Sequence, residues 1–449
     1  MGTRLRVRGA CVAATMVVAV AAVACSNAPA SSGTNAQGSG GTTASTAGPG
    51  PSGTFPAVNQ PGVSATEIKV AGVASATNPL GASYGSAFDG TQAYFDMINS
   101  QGGIYGRKLT LSQKIDDNGI KNKEVVQPLL TGDIFAVLPI DTLLFTGADD
   151  LVAAGIPTFG WMINGEWGGT KQAPKANLFG QEGSYLGIED ANAIIPYLAK
   201  KLGLHKVGIL AYGVPQSADC AKGTKAGIEK WGPTNGVEVA FSDSTLAFGE
   251  KNLAVQVGRM KDAGVDFVST CLDTNGVVTL ATEMDKQGMK ATQYLPNGYD
   301  HDFVKAYGDL FDGSIVRTSF ATVELPADQQ PQGLKDLVTW IGKGGGKLTE
   351  NAITGWMNAN QFVDGLKAAG PDFTRAKVIA AVNAMTNWNS NGISPGVDWS
   401  VRHYASSPSS CAAFSVIKNS TFVPDLGEPG KPFLCVDSSG TELVTSTKS

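Results

Sequence analysis

"FDMINSQGGIYGRKLTL", residues 95–111, holds the end of a helix, a stop and the start of a strand. The longer run "YGSAFDGTQAYFDMINS" (84–100) sets Phe88, Thr91, Phe95 and Ile98 on one face at helical spacing. Gly102-Gly103 ends that helix, and "RKLTLSQKID" (107–116) continues as an extended strand. Upstream, "EIKVAGVA" (67–74) reads as a buried strand, so the quoted stretch closes a strand–helix–strand unit. The same alternation runs onward. A helix is predicted near 121–131, a strand at 133–138, a helix near 147–154 and a strand at 156–160. After a break near 164–200 come strands at 206–213, 237–244, 265–273 and 293–298. Helices near 219–231, 251–263 and 276–287 separate them. Two runs of β/α alternation predict an α/β fold: two Rossmann-like lobes, each a parallel sheet covered by helices.

The N-terminus is of another kind. Arg4, Arg6 and Arg8 precede an uncharged apolar run at 10–24, too short to span a bilayer comfortably and suited to a secretory leader. Ala22-Val23-Ala24-Cys25 resembles a lipobox, the signal at which bacterial lipoproteins are cut and acylated on Cys. Its first position is Ala rather than the usual Leu, and an ordinary signal peptide cut after the A-V-A motif is the competing reading. Residues 26–62 are rich in Ser, Gly, Thr, Ala and Pro, a composition that does not order itself. As a flexible chain they span about 35 Å, the length of a tether. Loss of Arg4, Arg6 and Arg8 with the leader takes the formal charge from −5 to about −8. With no Lys/Arg cluster after residue 25, the footprint of nucleic-acid binding is missing. Cys220, Cys271, Cys411 and Cys435 remain in an exported body, where disulfides persist; four cysteines allow three pairings. No Cys or His spacing suits a metal, and none is expected; nor is a cofactor.

Several segments carry a family resemblance. "IKVAGVASATNPLGASYG" (68–85), "MINSQGGIYGRKL" (97–109), Asp116-Asp117 and "AAGIPTFG" (153–160) are similar to the Leu/Ile/Val-binding protein family. These are type I periplasmic substrate-binding proteins of ABC importers. "KVGILAYGVPQSADCAKGTKAGIEKWG" (206–232) resembles the opening of that family's second lobe, and "DLFDGSIVRTSF" (309–320) its return crossover. The resemblance implies three crossovers, near 181–184, 318–322 and 404–410. The divisions expected are a signal peptide 1–24, a lipidated Cys25 with tether to 62, a first lobe 63–182 plus 321–405, a second lobe 183–320 plus 406–437, and a disordered tail 438–449. Cys411 and Cys435 would bracket a last hairpin, and Cys220 would start a helix beside the strand ending at Cys271. With sequence proximity, this favours Cys220–Cys271 and Cys411–Cys435.

The implied function is capture of a small solute, such as a branched-chain amino acid, an amide or a small organic acid. A monomer, lipid-anchored on the extracytoplasmic face of the cell membrane, would pass it to an ABC permease without doing chemistry. The solute would lie at the carboxyl ends of the strands, where open α/β sheets bind ligands. By resemblance, Tyr84 would face the ligand side chain, and Asp141 and Thr142 fall in the loop that holds the ligand carboxylate. A helix N-terminus there suits an anion, but the carboxylate of Asp141 would repel one. Trp161 and Met162 stand where the family shows small hydroxylated residues, and imply a bulkier or less polar ligand. Gln216, Asp273 and Tyr299 end strands of the second lobe. The family's Glu for an ammonium is missing there, leaving Asp273 or Asp300 to replace it. Helix capping and core packing are the plainer roles for all of these residues.

Two alternatives stand beside this reading. "GASYG" (81–85) satisfies G-x-S-x-G, which would make Ser83 a hydrolase nucleophile served by His301 or His403. About eight residues separate it from the strand end, against the sharp elbow that chemistry needs. The second is a ligand-sensing lipoprotein that reuses the same body, since fold does not fix function.

Overall fold

Strand β1 (Glu67–Ala74) is buried on both faces: Ile68 and Val70 pack toward one helical layer, Ala71 and Val73 toward the other. That is the pattern of a strand interior to a parallel sheet. The computed structural model describes residues 54–449 apart from 79, 81–83, 189, 297, 408, 438–441 and 444–449. The leader, Cys25, most of the expected tether, Ser83 and most of the expected tail lie outside the described residues.

After β1 come α1 (Ala87–Ser100), β2 (Lys108–Asp116), α2 (Asn122–Leu130), β3 (Ala136–Asp141), α3 (Ala148–Ala153), β4 (Thr158–Gly160) and β5 (Leu178–Gly180). The five strands form a parallel sheet in the order β2-β1-β3-β4-β5. The chain then builds α4 (Ile194–Lys201), β6 (Lys206–Tyr212), α5 (Pro215–Asn235), β7 (Glu238–Leu246), α6 (Ala254–Asp262), β8 (Phe267–Cys271), α7 (Thr274–Lys286), β9 (Thr292–Leu295), α8 (His301–Tyr307) and β10 (Ile315–Thr318). Helices α9 (Gln332–Lys343), α10 (Glu350–Ala369) and α11 (Arg375–Asn383) return to the first sheet. Strands β11 (Ser409–Lys418), β12 (Thr421–Asp425), β13 (Leu434–Asp437) and β14 (Glu442–Leu443) complete the second, ordered β14-β13-β11-β10-β9-β8-β6-β7 with β12 beside β11. The part from β7 to β10 is parallel; β11 onward runs antiparallel. The chain thus forms two α/β lobes, one on each sheet.

The stretch at 97–109 acts as a built corner. Asn99, at the end of α1, takes the N–H of Leu109 at 2.8 Å and gives its own amide to the Leu109 carbonyl at 2.9 Å. Gly103 has φ +73°, and a Cβ there would lie 2.1 Å from the Arg107 carbonyl oxygen, so only glycine fits. The buried Arg107 gives its guanidinium to the carbonyls of Ser64, Tyr105 and Pro56. Pro56 belongs to the segment expected to be tether. Phe55 also packs on Tyr105 at 5.5 Å, and Gly62 N–H bonds Asp133 at 2.8 Å. The folded body therefore includes Phe55, Pro56 and Gly62, which were expected to be tether.

Other boundaries move for local reasons. Strand β3 starts three residues later than expected, because Arg375 takes the carbonyls of Ile134 and Phe135. Helix α5 starts at Pro215, a residue suited to a first helical turn, and stops at Gly236 in the left-handed conformation. The break at 164–200 contains β5, too short to leave a periodic signal. The expected tail carries β14, paired with β13. Both favoured disulfides are present, Cys220–Cys271 and Cys411–Cys435, the second joining residues directly opposite on β11 and β13.

Helices α1 and α10 touch through glycines. Thr91 donates to the Gly355 carbonyl at 2.9 Å, and Gly90 lies so close that a Cβ on it would fall 1.8 Å from the Ala352 carbonyl oxygen. Helix α10 begins at Glu350 behind the Thr349 cap, whose hydroxyl accepts from Ala352 N–H. The first and third connections between the sheets run side by side: Ser184 and Tyr185 donate to the Arg402 carbonyl, and Arg402 donates to the Glu182 carbonyl at 3.0 Å. Among the described residues no helix is long and apolar enough to cross a membrane.

Candidate functional site

A cavity of about 1140 Å³ lies between the lobes, at the carboxyl ends of the strands. Trp161, Met162 and Glu182 line it from the first lobe side; Thr270, Tyr294 and Arg317 line it from the second. Trp161 continues β4, its N–H held by the Ile140 carbonyl at 2.8 Å. Met162 N–H donates to the Gln181 side chain at 3.0 Å. The Tyr84 ring packs on Trp161 with centroids 5.3 Å apart. These contacts hold an aromatic wall in place.

Asp141 and Thr142 sit beneath this wall, fully buried. One Asp141 oxygen accepts from Asn351 at 3.2 Å; the other, and the Thr142 hydroxyl, meet no partner among the described residues. Burial pushes the Asp141 carboxyl well above its ordinary range, with Asn351 pulling weakly the other way. Burial thus favours the protonated form of this acid, which weakens the repulsion expected from a carboxylate here. Two of the loop's backbone donors are taken within the lobe. Leu143 N–H is taken by Ser75 at 2.9 Å and Gly147 N–H, at the head of α3, by Asn122 at 2.9 Å. These donors serve the lobe rather than a ligand.

The acid with the raised pKa has a stability consequence. Between the unfolded carboxyl value near 4 and the raised folded value, the folded state holds a proton that the unfolded state has lost, so Asp141 lowers stability as pH rises. Asp141→Asn keeps a side chain able to accept from Asn351 and removes that dependence. Its melting temperature is expected to exceed that of the wild type increasingly from pH 4 to pH 8; an equal or lower value at pH 8 contradicts the assignment.

Three ionisable residues unanticipated from the sequence line the cavity together. Arg317, at the end of β10, donates from Nη2 to Glu182 Oε2 at 3.2 Å, the two side chains being 30% and 29% exposed. Glu350, the first residue of α10, lines the same space. Burial opposes the Arg317 charge, but Glu182, Tyr294 and Glu350 hold its pKa above the usual value. Burial pushes the Glu350 carboxyl up to about 8, against the pull of Arg317 and with a further push from Glu182. A signal existed for two of them: Arg317 interrupts the apolar run of a buried strand, and "TENA" at 349–352 opens a helix with Thr349 as cap at 3.2 Å.

The other candidates divide. Tyr84, Trp161 and Met162 come together. Gln216 sits in the first turn of α5 and is not on the cavity wall. Asp273 caps α7 through Gly276 N–H and receives the Tyr212 hydroxyl at 2.5 Å, also off the main cavity. Tyr299 is buried, stacked on Phe422 at 4.7 Å, its hydroxyl donating to Glu324 and accepting from Val323 N–H. Of the histidines weighed for a triad, His301 bonds Glu324 and the Leu348 carbonyl, and His403 bonds Asn383.

Residues 67–421 match the profile of a family described as periplasmic binding protein. A fatty acid ABC transporter substrate-binding protein from Thermomonospora curvata superposes with TM-score 0.64 at 19% identity, covering 85% of this chain and 94% of its own. The branched-chain amino acid transporter substrate-binding protein LivJ from Streptococcus pneumoniae, in complex with isoleucine, gives 0.63 at 17%, covering 80% and 100%. A solute-binding protein from R. palustris in complex with 4-hydroxybenzoate gives 0.61 at 16%, covering 82% and 95%. No curated protein matches the sequence significantly.

Proposed function

Because the chain belongs to the periplasmic binding protein family, whose members bind solutes and are not enzymes, we propose that it is the capture subunit of an ABC importer. It takes a small organic solute between its lobes and presents the closed form to a permease. In this reading Cys25 carries a lipid, the low-complexity stretch after it is the tether, and the body works as a monomer on the extracytoplasmic face. The observation that carries the reading is the interlobe cavity, walled by Trp161 and Met162, with Tyr84 packed on Trp161, and of the size that encloses small molecules. The solutes named for the three structural neighbours, isoleucine, 4-hydroxybenzoate and fatty acid, share a carboxylate on an apolar body, and a cavity with guanidinium groups and an aromatic wall suits that chemistry.

Calorimetric titration of the purified protein with amino acids, their amides, aromatic acids and fatty acids tests it. A solute at 100 times its dissociation constant adds about 2.7 kcal/mol of stability, so a melting screen finds the hit first. Trp161→Ala removes an aromatic wall worth about 1.5–3 kcal/mol of apolar contact, and is expected to weaken the hit roughly 10- to 100-fold. A hit whose affinity is indifferent to Trp161 does not bind in this cavity.

A further inference from the structure

We propose, resting on the capture reading above, that the cleft selects organic carboxylates lacking an ammonium group, the carboxylate seated on Arg317 and the apolar body against Trp161 and Met162. A guanidinium carries five N–H donors in a rigid fork. Among the described residues Arg317 meets one acceptor, Glu182, through one nitrogen. The rest of the fork faces the cavity, where a carboxylate can take two parallel hydrogen bonds. The Glu350 carboxyl faces the same space and accepts or donates no hydrogen bond among the described residues. With its pKa up to about 8 it holds a proton at neutral pH and can give it to the bound carboxylate as a second, uncharged donor.

The acids near the cavity already have partners: Asp190, on its wall, accepts from the Ser406 hydroxyl at 2.7 Å. Glu182 is committed to Arg317. Asp273 is occupied by the Tyr212 hydroxyl and the α7 cap, and Asp300 caps α8 through Phe303 N–H. Asp141 is fully buried and off the cavity wall. A buried ammonium without an ionised partner is costly, so the α-ammonium of an amino acid is a penalty here rather than a handle.

The groups facing Glu350 fix the sign of the pH response. Arg317 and Glu182 lie beside it, Asp141 and Tyr84 approach from the first lobe, and Tyr294 from the second; Arg402, Asp190 and Lys431 also line the cavity. As pH rises through 8, Glu350 ionises, competes for Arg317 and repels an anion. Carboxylate affinity is therefore expected to fall between pH 7 and pH 9.

The test is calorimetric titration of the purified protein with octanoate, benzoate and leucine, and with octanamide, benzamide, leucinamide and octylamine. Octanoate or benzoate is expected to bind more tightly than its amide and than leucine. Arg317→Gln is expected to lose that binding on the order of 100-fold, with Arg317→Lys between, both variants being checked for native melting. Glu182→Gln, which releases Arg317, is expected to tighten it. Glu350→Gln is expected to keep it and abolish its decline above pH 7. Tightest binding of an amine, an amide or leucine, unchanged affinity in Arg317→Gln, or affinity that rises with pH overturns the inference and leaves solute capture standing. Silence from the whole panel counts against capture itself.

Discussion

Gly355→Val is expected to keep the first lobe from assembling. The α1–α10 crossing is close enough that a Cβ on Gly355 would lie 2.0 Å from the Ala87 carbonyl oxygen, and a Cβ on Gly90 would strike the backbone of α10 from the other side. Both obstacles are backbone, so no rotamer change relieves them. The helices must part, which breaks the Thr91–Gly355 hydrogen bond and opens the layer in which Trp356, Ala359 and Phe362 are buried against α1 and the sheet. Overpacking of one methylene costs about 1–3 kcal/mol. A branched side chain against backbone belongs in the range above 4 kcal/mol, where destabilisation has a single identifiable cause. Urea unfolding, or the soluble fraction on expression, reads it out. A Gly355→Val protein within 0.5 kcal/mol of wild type would show that the helices do not cross at this distance. The contact reaches the site as well, because α10 starts at Glu350 in the cavity wall.

Removal of the Cys220–Cys271 bridge by the double change to serine is expected to cost about 4 kcal/mol. The chain-entropy account scales with loop length, and this loop has a sequence separation of 51 against 24 for Cys411–Cys435. For the shorter loop the same account gives about 3.5 kcal/mol. The longer bridge also ties α5 to the end of β8, beside Ser217, whose hydroxyl bonds the Cys271 carbonyl at 2.5 Å. Cys220 itself lines the cavity. Denaturation of the oxidised protein, the double variant and the protein under reductant checks the ranking. Equal stability of the oxidised and reduced protein would refute the structural role of both bridges.

Much of the body was legible as sequence. Strands such as Glu67–Ala74 and Lys206–Tyr212 are mostly apolar after their first residues because both faces of a parallel sheet are covered. Helices such as Ala87–Ser100 carry one buried face. Glycine at 103 and 236 marks turns that other residues do not enter easily. Trp161 and Met162 were recognisable because a strand end in such a sheet opens toward the cleft. The misplacements share a cause. Tyr299 and Asp273 also follow strands, but the first is drawn into an aromatic stack with Phe422 and the second into capping a helix, partners supplied by distant or unpatterned neighbours.

The sequence by itself determined what depends on neighbours along the chain: alternating strands and helices and their punctuation by glycine and proline. Only the tertiary structure decided what the cavity can hold. Arg317 and Glu182 are 135 residues apart, and Thr91 reaches Gly355 across 264. No local periodicity records such encounters. They follow from three passages of the chain between two sheets and from the closeness of one helix crossing, and the same enclosure that brings Glu182, Arg317 and Glu350 together withdraws the water that would otherwise set their charges.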